Sequence, residues 1–265
     1  MIDTHCHLTF PEYAGRVDSV LSAARAAGVF GAITISTTTA DAQKALVLSE
    51  SHRDLWCTAG VHPLYSDRPI DWNAMRAVGL HAKCVGWGEL GLDRHYAEPS
   101  QETQRRVLDE QLAHLARWRG EDPWLDKPVV VHCREAFDEL IPVLRASGLP
   151  PERFVFHCFT AGPREMRLLL DFGAWVSFTG VVTFANATDT RAAAAFAPSD
   201  RVMVETDAPF LTPEPHRKVR PNEPRFVVHV ADALAALWKR PVQEVHAELD
   251  ANARRFFGVD PVIAE

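Results

Sequence analysis

Cysteine is scarce in this chain, long apolar runs are missing, and there is no surplus of positive charge. Each shortage excludes a class of protein. The five cysteines, Cys6, Cys57, Cys84, Cys133 and Cys158, are odd in number and widely spaced. That pattern does not make a disulfide framework and suits a reducing compartment. The longest apolar stretches, such as "AAAAFA" at 192–197, fall far short of the roughly 20 residues of a membrane helix. Met1 runs directly into Ile2 and Asp3 with no basic segment and apolar stretch after it, so no secretory signal and a cytoplasmic location are expected. The net charge of −7 argues against a protein that coats nucleic acid through a global positive field. It leaves room for an enzyme whose bound metal ions supply positive charge locally. No G-x-G-x-x-G follows the first apolar run, so a dinucleotide fold lacks its fingerprint. No low-complexity tail or long linker divides the chain.

The sequence does contain a regular alternation. Hydrophobic residues make up 47% of the 265 positions, enough for a sizeable core. Short β-branched or apolar runs at 1–5, 31–36, 56–61, 83–90, 128–133, 153–158, 173–178 and 201–206 predict eight strands. Helical periodicity marks 16–28, 100–120, 135–148, 163–173, 226–238 and 243–258. In the first of these Val17, Val20, Leu21 and Ala24 share one face. Strand alternating with helix implies parallel strands joined by crossovers. Eight such units in a chain of this length predict an α/β fold, a closed (β/α)8 TIM barrel forming one domain over 1–265.

Side chains that bind metals interrupt these apolar strands at their C-terminal ends. The first strand ends in His5 and His7, the fourth in Glu89, the fifth in His132 and the sixth in His157, and the eighth runs into Asp207. In a barrel all of these ends open on one face, where the βα loops build the site. Residues two apart on a strand share a face, so His5 and His7 can reach one ion together while Cys6 points away. Cys133 and Cys158 follow histidines directly and are expected to face away too, as small buried hydrophobes. Six donors exceed the needs of one tetrahedral ion and suit two ions sharing a bridge. Glu89, a carboxylate from a central strand, is the bridging candidate.

The ordered set "DTHCHL" (3–8), "GVHP" (60–63), "GELGLD" (88–93), "HCRE" (132–135), "HCFT" (157–160) and "ETDAPFL" (205–211) resembles the TatD family, metal-dependent deoxyribonucleases of the amidohydrolase superfamily. The likeness runs from residue 2 to "NARRFFG" near 258. It implies a TIM barrel with two divalent metal ions (Mg, Mn or Zn) and no organic cofactor. By family pattern His5, His7 and Asp207 hold one ion and His132 and His157 the other, with Glu89 bridging. His62 and Arg134 fall at positions that contact the substrate phosphate. Asp93 and Glu205 orient the ligands, and Asp3, too early on its strand to reach the ion, supports them.

Asp207 and Glu89 are the catalytic candidates, with Asp207 placed to accept a proton from the attacking water. "EPHRKVRPNEPR" (214–225) brings Arg217, Lys218 and Arg220 to the functional face of an acidic protein, where they would track a DNA backbone. The implied activity is 3′→5′ exonuclease action on single-stranded DNA. A metal-dependent ester or amide hydrolase, such as a D-aminoacyl-tRNA deacylase, uses the same donors. A non-catalytic nucleic-acid scaffold with a relic site is the alternative of another class. Four imidazoles favour zinc, nickel, iron or manganese over magnesium, while the resemblance points to magnesium or manganese. The chain departs from the family pattern at three places. The stretch 119–127 is long and reads as surface elaboration on the bottom face. Pro221 interrupts the usual "RNEP", and Arg94 stands where an aromatic is common.

Overall fold

The computed structural model describes residues 1–261. Eight parallel strands hydrogen-bond in chain order: β1 (Ile2–Cys6), β2 (Gly31–Thr34), β3 (Leu55–Ala59), β4 (Cys84–Asp93), β5 (Val129–Arg134), β6 (Phe154–Phe156), β7 (Trp175–Phe178) and β8 (Val202–Val204). One helix follows each strand: α1 (Val17–Ala26), α2 (Thr39–Glu50), α3 (Trp72–Gly79), α4 (Gln101–Glu121), α5 (Phe137–Ala146), α6 (Pro163–Phe172), α7 (Thr188–Phe196) and α8 (Val227–Trp238). A ninth, α9 (Val242–Phe257), ends the described chain. This is the predicted (β/α)8 barrel. The predicted span of 1–265 includes four residues, 262–265, that lie outside the described ones. Among the described residues no helix is long and apolar enough to cross a membrane.

All eight expected strands are present, and the six expected helices fall within a few residues of their predicted ends. Helices α2, α3 and α7 were not anticipated. Two of them bury mostly small side chains, Thr39, Ala42, Ala45 and Ser49 in α2 and Thr190, Ala193 and Ala194 in α7. An alanine–threonine stripe carries little hydrophobic periodicity, and α3 spans only eight residues. Capping compensates, because the Thr38 side chain accepts from the Asp41 amide and Asp71 from that of Ala74.

Closure between β1 and β8 does not run through a full ladder. It rests on a parallel bridge between Cys6 and Ala208. His7 N–H donates to Ala208 O at 2.8 Å and Asp207 N–H to His5 O at 2.9 Å. The barrel is thus sealed by the segment that carries its first and last candidate ligands.

The interior is filled by inward residues such as Ile33, Val85, Val130, Val155 and Met203. Phe256 and Phe257 of α9 pack against that layer as a floor, and a buried phenylalanine contributes about 1.5–3 kcal/mol. A second apolar layer lies between the strands and the helices, with Leu90, Leu108, Leu140 and Leu169 among its members. The 119–127 stretch is partly helix, the end of α4, followed by a 3-10 turn over Pro123–Leu125. Leu125 is buried and its carbonyl accepts from the Trp87 indole at 3.0 Å, so the stretch is anchored in the core as well as surface-exposed at Trp124.

Candidate metal centre

Alternation along β4 would put Trp87 and Glu89 on one face. Instead Trp87 packs outward against Trp118 while Glu89 enters the barrel mouth. The ladder between β4 and β5 shifts register between Trp87 and Leu90. Gly88, at φ +119°, sits where a Cβ would overlap the Val130 carbonyl. The glycine permits both the turn of the chain and the close approach of β5.

Around Glu89 the strand ends bring together five imidazoles and one further carboxylate. On one side, His5 Nε2 lies 3.2 Å from His7 Nε2, and Asp207 Oδ1 lies 3.6 Å from the first and 3.4 Å from the second. On the other, His157 Nε2 and His132 Nδ1 are 3.4 Å apart. Glu89 spans the two. Its Oε1 is 3.9 Å from His5 and 3.7 Å from His7, and its Oε2 is 2.7 Å from His157 and 3.6 Å from His132.

His62, expected at the substrate phosphate, lies within the same cluster. Its Nε2 is 3.2 Å from His132 Nδ1 and 3.8 Å from Glu89 Oε1. Its signal in the sequence was the one used for the others, a histidine just past an apolar strand.

Oε2 of Glu89 and Nδ1 of both His5 and His157 are buried and have no hydrogen-bond partner. The 2.7 Å approach of His157 Nε2 to Glu89 is close but not aligned as a hydrogen bond. Buried polar atoms left this way are costly unless something else coordinates them, and the donor set fits divalent cations. Burial, reinforced by His157, holds His5 neutral. Burial also pushes His62 down to about 3. Burial opposes ionisation of Glu89, but His62, His157 and His132 outweigh it and keep it a carboxylate. Burial disfavours charge on His7, His132 and His157 too, yet carboxylate neighbours raise all three. Protons held there would leave on metal binding.

The outward side of His132 is held by Asp93, and Glu205 stands beside that of His157. Asp93 Oδ2 sits 3.0 Å from His132 Nε2, while its Oδ1 accepts from the amides of His95 and Tyr96. Glu205 accepts from Cys158 N–H at 2.6 Å and Ser177 Oγ at 2.7 Å, and its Oε1 lies 3.4 Å from His157 Nδ1. Asp3 is fully buried and is not among the grouped donors. It accepts from Thr206 N–H at 2.9 Å and Thr206 Oγ1 at 2.6 Å, which fixes the residue before Asp207. The same loop is held from its other side by Asn222, whose side chain donates to Thr206 O at 3.0 Å and Phe210 O at 2.6 Å. The sequence reading singled out Arg220 in "RPNEP" and passed over Asn222.

The cluster forms the floor of a cavity of about 550 Å³, lined also by Phe10, Tyr65, Tyr96, Arg134 and Phe210. Of the five expected substrate contacts, His62 and Arg134 line it and Arg217, Lys218 and Arg220 do not. Arg220 is turned into its own loop, donating to Thr212 Oγ1 at 2.7 Å and to the carbonyls of Arg217 and Val219. Arg217 lies over the Phe184 ring at 3.3 Å. Arg94 is likewise engaged, by both oxygens of Glu139 at 2.8 and 2.6 Å. Cys133 and Cys158, expected to face away, both border the cavity and are only partly buried. Cys158, with φ +48°, lies beyond the end of β6, so strict alternation no longer applies to it, whereas Cys133 lies within β5 and also packs against the outer apolar layer. Cys6 does point away, donating to Ile33 O.

Comparison with known proteins agrees with this geometry. Residues 2–258 match the family model described as TatD related DNase. The chain is 35% identical to the metal-dependent hydrolase YcfH of Escherichia coli K12 over 263 residues, 98% of this chain and 96% of that one. It is 34% identical to the 3′-5′ ssDNA/RNA exonuclease TatD of Pantoea ananatis over 269 residues, 98% of this chain and all of the other. Among solved structures, YjjV, a TatD homologue from Escherichia coli K12, superposes with a TM-score of 0.89 at 30% identity, covering 98% of both chains.

Proposed function

The chain belongs to the TatD family of metal-dependent hydrolases, and on that premise we propose that it is a nuclease that removes nucleotides from the 3′ ends of single-stranded DNA or RNA. The observation that carries the proposal is the position of Glu89, with one oxygen toward the His5–His7–Asp207 group and the other toward His132 and His157. That arrangement suits a carboxylate shared between two divalent cations. Bound there, two cations would lower the pKa of a water and polarise a phosphoryl oxygen. His62 completes the donor set on the His132 side.

Asp207 is the more open carboxylate, its side chain 14% exposed against 3% for Glu89. It faces the cavity and is the group that would accept the proton of the attacking water. Arg134 is exposed on the cavity wall and would pair with the phosphate as negative charge builds. Asp93 and Glu205 keep His132 and His157 turned inward. A relative named as a single-strand DNA/RNA exonuclease supports the substrate class. A cytoplasmic location suits the five unpaired cysteines.

The test is purified protein on a 5′-labelled single-stranded oligonucleotide beside a D-aminoacyl ester, with Mg, Mn or Zn and with chelator. Chelator-sensitive shortening from the 3′ end is expected, with two ions per chain by elemental analysis. Ester hydrolysis without nucleic-acid cleavage would overturn the substrate assignment, and a single ion with Glu89→Gln as active as wild type would overturn the shared-carboxylate arrangement.

A further inference from the structure

The mouth of the metal cavity is apolar and aromatic, which neither metal binding nor phosphate chemistry requires. Phe210 and Tyr96 are each 50% exposed. Large exposed apolar side chains around one cavity mark a surface that something covers. Both are held rigidly at the backbone. Phe210 N–H donates to Asp207 O at 2.9 Å and its carbonyl accepts from Asn222 at 2.6 Å. Tyr96 N–H donates to Asp93 Oδ1 at 3.1 Å, the carboxylate that also holds His132. The backbone that carries each ring is thereby tied to a segment that carries or orients a metal donor.

A third ring, Phe10, stacks on His7 at 4.7 Å and 19° and meets Phe210 edge-on at 6.3 Å. Across the mouth the Arg134 guanidinium lies over Tyr96 at 5.4 Å. An aromatic face beside a cation, both opening on a phosphodiester-cleaving centre, matches a nucleotide whose base stacks while its phosphate meets the cation.

We infer that Phe210 and Tyr96 are stacking platforms that receive the unpaired bases flanking the scissile phosphate, so that the site selects single strands by their bases rather than by their backbone alone. This rests on the nuclease reading above. Paired bases are stacked on their neighbours and cannot lie on these rings, which gives a physical basis for preferring single strands. Stacking is tolerant of base identity because every base has a π-face, so little sequence preference is expected.

The test compares fluorescence-anisotropy binding of a single-stranded oligonucleotide with that of the same chain carrying abasic sites in its last three positions, using metal-loaded protein. Wild type binds the base-bearing chain about tenfold or more tightly. Phe210→Ala and Tyr96→Ala each shrink that ratio several-fold, and Phe210→Trp restores it, which a structural role for the ring would not do. Both positions are half exposed, and circular dichroism checks that the variants remain folded. Equal affinity of wild type for the two chains, or an undiminished ratio in both alanine variants, overturns the inference. Cleavage of the same oligonucleotides separates the two readings. Equal cleavage of the base-bearing and abasic chains refutes the platforms and leaves the nuclease standing. Base-dependent binding without cleavage under any metal refutes the nuclease and leaves the platforms.

Discussion

Replacing Gly91 with alanine tests how closely the candidate metal centre depends on the approach of two strands. Gly91 pairs with His132 across β4 and β5, and its φ of +150° lies where side chains are rarely tolerated. A Cβ built there would lie 2.8 Å from the His132 carbonyl carbon and overlap the carbonyl oxygen. Clearing the carbonyl oxygen, the nearer atom, to 3.0–3.4 Å requires β5 to retreat by about 1.1–1.5 Å. Strain at the residue amounts to about 1–3 kcal/mol, and forcing the strands apart adds a similar amount.

The expected destabilisation is about 2–6 kcal/mol, a fall in Tm of about 5–20 °C for a domain of this size. Moving His132 by that distance also takes Nδ1 out of its 3.6 Å relation to Glu89 Oε2, so metal content should fall. Calorimetry with and without chelator separates the two effects. Gly120→Ala is the control, because that glycine lies within α4 with nothing within 4 Å of an added Cβ. It should raise stability by about 0.5–1 kcal/mol. If Gly91→Ala melted within 2 °C of wild type, by order-of-magnitude standards unchanged, and kept its full metal content, the argument from strand approach would be refuted.

Three further outcomes follow from the geometry. Asp93→Asn should weaken metal binding about 10–100-fold, measured by competition with a chromophoric chelator. Burial works against ionised Asp93, but hydrogen bonds from His132 and from the Tyr96 and His95 amides hold its carboxyl down at about 2. A depressed carboxyl stabilises the fold above its unfolded value near 3.8, and that contribution disappears as pH falls through about 2. Urea titrations of the chelated variant should therefore show a shallower loss of stability across that window than wild type; an identical acid limb would refute the assignment. Asn222→Ala leaves the Thr206 and Phe210 carbonyls without their side-chain donor and should cost about 2 kcal/mol in denaturant unfolding, with an unchanged midpoint counting against its role in the β8 loop. Neutralising Arg217 and Lys218 together should weaken oligonucleotide binding at low salt and reduce the slope of log K against log salt by about 1.4. An unchanged slope would remove both residues from the substrate track.

The strand order, the parallel barrel and most of the donor set were legible in the sequence. Periodicity is local, and a histidine or carboxylate just beyond an apolar strand can be placed on the barrel mouth by topology alone. His5 and His7 sit as their spacing implies, two residues apart with their Nε2 atoms 3.2 Å apart. Helices α2 and α7 escaped notice because they bury alanine and threonine, whose patterning is weak. The basic loop illustrates a limit of local pattern. A run of positive charge says nothing about which side chains its own backbone will consume, and Arg220 is taken up by Thr212 and two carbonyls.

By itself the sequence determined the eight strands and six of the helices, their order, and which side chains of metal-binding type stand at the mouth, because these follow from hydrophobic period and from the direction of parallel strands. Tertiary structure decided the rest. It placed Trp87 and Glu89 on opposite faces through a register shift and Gly88. It brought His62 within 3.2 Å of His132. It used Asp3 and Asn222 to hold the Asp207 loop from two sides. It turned Phe210 and Tyr96 outward around the cavity. These depend on contacts between segments up to about 200 residues apart, as between Asp3 and Thr206, and local pattern carries no record of such distances.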